Sequence, residues 1–308
     1  MMKKILNIIT IVFTLLFLYK VIMEKVLVYN SITYSLNIWV NNLIPTLFPF
    51  FIISDILINY NVTLYIPNFF RQICKYLFRI TDNMISILLL SIISGFPSNA
   101  RNTRLMYDKE FITLDEANHI LIFSHFSNPL FILTTIVFFF SAEKDVGIIL
   151  LISHYLSNFI LGMLFRGYFN HSDAHKEAIK YQVNFGKVLI SSIKKSIDTT
   201  LLICGIITLF MLLSTIIVDA LNLNIYNSML IKGLFEITGG IEALGKLNIP
   251  IIYKNIIASC FLAFGGISVH FQVISQISDT DIKYRYFFVG RVFQTILSGI
   301  ITYVMCLL

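Results

Sequence analysis

Ser91-Ile-Ile-Ser-Gly-Phe-Pro-Ser-Asn-Ala-Arg101-Asn-Thr-Arg104 is the stretch that decides the fold. It closes an apolar run from Met84 to Ile93. That run makes about two and a half helical turns, roughly half of a bilayer crossing. Gly95 and Pro97 then break the helix, and the chain turns polar and cationic. In a soluble protein this is a helix end and a loop. In a strongly hydrophobic chain it is non-helical backbone at membrane depth. Such backbone is tolerated only where protein buries it or it lines a watery cavity. The stretch predicts a re-entrant hairpin whose tip forms part of a solute site.

The rest of the chain is that hydrophobic. Of 308 residues, 57% are apolar and 13% charged, and the mean hydropathy is +0.81. Soluble domains carry about a quarter charged residues, so the composition predicts an all-α, polytopic membrane protein. The net charge of +6 sits in short loops between apolar runs, which points to membrane orientation, not to nucleic acid. Cys74, Cys204, Cys260 and Cys306 are far apart and lack CxxC spacing, so no zinc or disulfide framework is expected.

Outward from the hairpin, the first span is Ile5 to Met23 behind Lys3 and Lys4, with no A-x-A-like cleavage site, so it is read as retained. Ser35 to Ile58 is the second span, kinked at Pro45 and Pro49. Its Asp55 faces either the bundle interior or the interface. Arg71, Lys75 and Arg79 form the solvated basic face of an amphipathic helix. Cations flank both ends of the short hairpin, so both ends belong on the cytoplasmic side. The next span is interrupted at Ser127-Asn-Pro129, as a discontinuous helix or as a plain proline kink. Ser141 to Asp145 is an outside turn, and Val146 to Phe165 is a plain span. Arg166, His171, His175, Lys176, Lys180, Lys187, Lys194 and Lys195 make an inside loop in which the two histidines have no third metal partner. Ile197 to Leu221 crosses outward. Met229 to Leu247 is broken at Thr238-Gly-Gly240, Ile251 to Ile277 at Gly265-Gly-Ile-Ser268, and Phe287 to Leu308 ends the chain.

The two halves match: span, short broken segment, interrupted span, plain span. The predicted organisation is an N-terminal span in residues 1–30 and two repeats of opposite topology in 31–170 and 171–308. Inverted-repeat transporters hold solute where such broken helices meet. Broken helices aim free N–H groups at the gap, which suits an anion. Gly95, Pro97, Gly239, Gly240, Gly265 and Gly266 shape the gaps. Ser98, Asn99, Ser127, Asn128, Thr238, Ser268 and Gln272 supply neutral donors and acceptors. Arg101 is either a bidentate clamp for a carboxylate or a positive-inside anchor. Glu236 is a proton carrier, a cation ligand, a partner for Arg101 or a helix cap. His270 either titrates or is a hydrogen-bonded structural ring. No nucleophile elbow, P-loop or HExxH is present, so no enzyme is expected. No cofactor is expected either. The coupling ion (proton or sodium) and assembly into a homo-oligomer stay open.

Four blocks carry a family resemblance: Leu43-Ile-Pro-Thr-Leu-Phe-Pro-Phe-Phe-Ile, Ser94-Gly-Phe-Pro-Ser-Asn-Ala-Arg101, Phe126-Ser-Asn-Pro-Leu-Phe131 and Ala263-Phe-Gly-Gly-Ile-Ser-Val-His-Phe-Gln272. In this order they resemble the YlbJ (SpoVV) family of sporulation integral membrane proteins, which carry nucleoside-recognition (Gate) domains. The family usually has small residues where Ser98-Asn99 stand, and often Lys in place of Arg101. The resemblance implies a fold similar to the core of concentrative nucleoside transporters. It also implies a place in the outer forespore membrane and movement of dipicolinic acid from mother cell to forespore. Phe96, Phe126 or Phe271 would then stack on the solute ring. A nucleoside or nucleobase transporter and a non-transporting membrane scaffold are the alternatives.

Overall fold

The computed structural model describes residues 2–140, 144–169 and 184–308. Among them the regular structure is helical, without strands. In chain order the helices are α1 (Met2–Met23), α2 (Lys25–Ile38), α3 (Ile44–Asn59), α4 (Asn68–Phe78), α5 (Asp82–Ser94), α6 (Ser98–Asp108), α7 (Leu114–Phe123) and α8 (Val137–Phe140). They continue with α9 (Lys144–Phe165), α10 (Phe185–Ala220), α11 (Ile225–Phe235), α12 (Ile237–Gly245), α13 (Ile251–Phe264), α14 (Gly266–Ile277) and α15 (Tyr284–Leu307). Among the described residues six helices are long and apolar enough to cross a membrane, or seven if the bent pair α4–α5 counts as one span. The chain is a polytopic helical membrane protein.

The second span begins earlier than its sequence suggests. α2 and α3 run together over Lys25–Asn59 through a π-helical turn, Trp39–Leu43. Pro45 cannot donate to the ladder, and the widened turn just ahead of it takes up the defect. The boundary drawn between residues 30 and 31 therefore falls inside α2, and the one between 170 and 171 lies outside the described residues, as do the 141–143 turn, His171, His175, Lys176 and Lys180. α10 likewise starts at Phe185 and not at Ile197, so Lys187, Lys194 and Lys195 belong to a helix and not to a loop.

α4 meets α5 at 95°. Its basic residues do more than face solvent. Arg71 donates to the Thr63 and Ile66 carbonyls at 2.6 and 2.9 Å, and both Arg71 and Lys75 pair with Asp82. They tie the α4–α5 bend together, while Phe69 and Tyr76 on α4 are exposed.

α5 and α6 form the expected hairpin around Gly95-Phe96-Pro97. Asn83 at the start of α5 donates to the Phe111 carbonyl beyond the end of α6 at 2.7 Å, so the two ends lie together. α11 and α12 form a second hairpin, but its break is at Glu236 and not at Thr238-Gly239-Gly240. Glu236 is extended, with φ −149° and ψ 129°. Gly239 and Gly240 lie inside α12, where a Cβ on Gly240 would collide with the Gly233 backbone. The glycines let two helices touch; they do not break one.

α7 ends at Phe123, and residues 124–128 are non-helical before a π-helical stretch, Phe131–Ile136. This is a discontinuous helix, not a proline kink. α13 and α14 are separated by Gly265, in the left-handed region at φ +93°. All four cysteines are free.

Candidate functional site

The four interruptions meet. A Cβ on Gly95, at the first hairpin tip, would stand 2.6 Å from the Asn128 nitrogen in the α7 break. A Cβ on Gly266, at the α13–α14 break, would stand 3.3 Å from the Phe235 carbonyl oxygen and 3.4 Å from Glu236 at the second tip. The Phe96 ring stacks on His125 with centroids 5.1 Å apart. One cavity lies at this junction, lined by Phe96, Ser127, Asn128, Glu236, Thr238, Val269 and Gln272, and closed by Thr46 and Leu47 of α3 and by Ile203 and Ile207 of α10. About 30 Å³ of it is open to the centre of a water molecule. That is room for about two waters, so this conformation is closed.

Of the predicted site residues, Ser127, Asn128, Glu236, Thr238 and Gln272 line this cavity. Gly95, Gly265 and Gly266 are not among the lining residues; they stand at the breaks themselves, and all three have positive φ. Pro97 is the residue before α6. Ser98, Asn99 and Ser268 are buried beside the breaks, with side-chain polar atoms that have no hydrogen-bond partner among the described residues. Of the three proposed stacking rings, Phe96 is at the cavity. Phe126 is fully buried against Tyr155 and Phe159, and Phe271 packs on Phe210.

Arg101 is already engaged. Its guanidinium lies 3.1 Å from Asp55 Oδ1, donates to the Phe51 carbonyl at 3.1 Å and sits over the Phe51 ring. Both charges are buried, at 7% and 2% side-chain exposure. Asp55 therefore faces the interior, and Arg101 pairs with it, not with Glu236. Glu236 caps its own helix. Its carboxylate accepts from the Gly239 N–H at 3.0 Å and from the Thr238 hydroxyl at 3.3 Å. His270 is a structural ring that bridges the Tyr284 hydroxyl at 2.6 Å and the Phe264 carbonyl at 3.0 Å.

Two spans read as plain carry the polar support of the α7 break. From α9, His154 Nε2 accepts from the Ser127 N–H at 2.9 Å, Tyr155 donates to the Ile92 carbonyl at 2.7 Å, and Asn158 donates to the His125 carbonyl at 2.6 Å. From α15, the fully buried Arg291 donates to the Ile122 carbonyl at 3.0 Å, to the His125 carbonyl at 3.4 Å, and to Asn158 and Gln294. The Ile122 carbonyl is among those a helix end leaves orphaned, the His125 carbonyl lies in the break beyond it, and a cation suits the negative end of the α7 dipole. Arg291 is a staple for the break. The i, i+4 pair His154/Asn158 inside an apolar run was the visible hint.

Electrostatically, Glu236 closes the α12 N-terminus to any outside anion. The N-termini of α6 and α14 carry no side-chain cap. Asp55 is neutralised by Arg101, and Glu236 is the charged side chain that lines the cavity.

Fold and site together define a polytopic helical membrane protein whose interrupted helices converge on a small closed chamber. No family model matches the sequence, and no solved structure matches the chain. Sporulation integral membrane protein YlbJ of Bacillus subtilis is 28% identical over a 303-residue alignment covering 86% of this chain and 74% of that protein. The similarity to that protein runs through most of this chain.

Proposed function

We propose that the protein carries a small organic anion across a membrane, and that the chamber between the four helix interruptions is its solute site. The observation that carries this reading is the meeting of Phe96, Asn128, Glu236 and Val269, each at or within a turn of a different interruption, on one cavity. Proteins tolerate broken helices at membrane depth only around buried or water-lined sites. The two hairpins are read as re-entrant from opposite faces, as halves of an inverted repeat similar to the core of concentrative nucleoside transporters. Lys246 and Lys254, which sit beyond the second hairpin, are engaged with Glu242 and the Gly245 carbonyl, so they weigh little against an outside placement.

The family likeness makes dipicolinic acid the proposed solute, moved across the outer forespore membrane during endospore formation. The closed chamber is too small for that molecule, so loading requires the hairpins to part from α3 and α10. Purified protein in liposomes is expected to take up labelled dipicolinate, with and without a proton gradient distinguishing proton coupling. Uridine uptake with no dipicolinate uptake favours the nucleoside alternative. No uptake of either, with Glu236 and Ser268 substitutions silent in sporulating cells, favours the scaffold.

A further inference from the structure

Buried polar side chains are almost always hydrogen-bonded. His125 is an exception. It is fully buried, and neither ring nitrogen has a hydrogen-bond partner among the described residues. The other histidines around it are occupied, His154 by the Ser127 N–H and His270 by Tyr284 and Phe264. Leaving such a group unsatisfied is costly, which makes His125 a position where a ligand group belongs.

Its surroundings say which group. Phe96 covers one face of the ring, nearly parallel at 16°, and Phe287 meets it edge-on at 5.0 Å. Nε2 lies on the open side of Gly265, 3.7 Å from where a Cβ would stand. Gly265 leads into the first turn of α14, whose N–H groups have no side-chain cap. The Ser268 hydroxyl in that turn is buried and also without a partner. The nearby charges are Arg291, which donates to the His125 carbonyl, and Glu236, whose carboxylate is held by its own helix.

We infer that His125, Ser268 and the first turn of α14 form a carboxylate subsite that Phe96 covers in the closed state. A neutral imidazole supplies one N–H, the serine one O–H, and the helix start free amides with the positive end of its dipole. Phe96 lines the chamber on one side and stacks on His125 on the other, so its swing joins chamber and subsite. The slot it leaves on the imidazole is flat, and it fits a carboxylate carried on a planar ring. The inference deepens the transport reading and rests on it for its physiological meaning.

Diethyl pyrocarbonate labelling of detergent-purified protein, read by peptide mass spectrometry, tests the subsite without transport. His125 is expected to stay unlabelled in the wild type and to label in Phe96→Ala, or in Phe96→Leu should the alanine variant fail to fold. Dipicolinate should slow that labelling about tenfold, and uridine, which has no carboxylate, should not. In liposomes His125→Leu should raise KM for dipicolinate about tenfold, while His125→Gln, which keeps a donor, stays within about threefold. An unlabelled His125 in both Phe96 variants, or labelling indifferent to dipicolinate, overturns the inference. Should wild-type liposomes move no dipicolinate, the transport reading fails while the labelling still decides the subsite.

Discussion

Gly95 and Asn128 approach so closely that the hydrogen on Gly95 occupies the only room a side chain would have, since a Cβ there would lie 2.6 Å from the Asn128 nitrogen and 2.9 Å from its Cα. Gly95 also has φ +76°. Gly95→Ala therefore meets backbone strain and a backbone clash together, each about 1–3 kcal/mol. Thermal unfolding of the purified protein should fall accordingly, and uptake should fall with it because the tip is pushed away from the α7 break. Gly205, which has nothing within 4 Å of its Cβ position, is the control, and Gly205→Ala should be silent.

The Asp55–Arg101 pair ties the kinked α3 to the first hairpin in a buried setting. Removing one member leaves an uncompensated buried charge, which costs about 3–5 kcal/mol. Asp55→Asn and Arg101→Gln should each destabilise by that order, and the double variant by clearly less than their sum. A thermal-unfolding double-mutant cycle reads the coupling directly. Additive losses would show the pair to be uncoupled.

Arg291→Met should free the Ile122 and His125 carbonyls that the guanidinium holds. Each orphaned buried group costs about 1–3 kcal/mol, and the loosened α7 break should reduce uptake more than a distant substitution of equal destabilisation does. Arg291→Lys keeps the charge but not the fork of donors, so it should rescue stability only in part.

Outside the membrane, Arg104 at the α6 end pairs with Asp279 in the loop after α14, with one contact at 3.1 Å, and donates to the Gln276 carbonyl. The hydrogen bond from Arg104 holds the Asp279 carboxyl below its ordinary range. A carboxyl with a depressed folded-state pKa adds stability above its unfolded value, near pH 4, and loses it as pH falls through the folded value. Asp279→Asn should therefore lower the melting temperature slightly and equally from pH 5 to 8. The gap should close in stronger acid. Asp279 is largely exposed, so the effect is small.

What the sequence showed and what it hid follow one physical rule. Gly95-Phe-Pro97, Ser127-Asn-Pro129 and Gly265 interrupt apolar runs with residues that cannot continue a helix, and those breaks are local chemistry readable in one dimension. The second hairpin misled because Gly239 and Gly240 serve packing: Gly240 fits against Gly233 and Gly239 against Met211, and no local pattern announces a partner on another turn. The Asp55–Arg101 pairing and the grip of Arg291 on α7 join residues far apart in the chain. A charge in an apolar run signals that it has a partner, but not which one.

Equilibrium binding of radiolabelled dipicolinate to the purified protein, by scintillation proximity, addresses the chamber itself. Thr238 lines it and is buried, so Thr238→Trp fills it without touching the charged pairs. Saturable binding to the wild type, weakened about tenfold or more in a folded Thr238→Trp variant, is the predicted result. Binding that is undiminished when the chamber is filled, or no binding to the wild type at all, would contradict a solute site between the four interruptions.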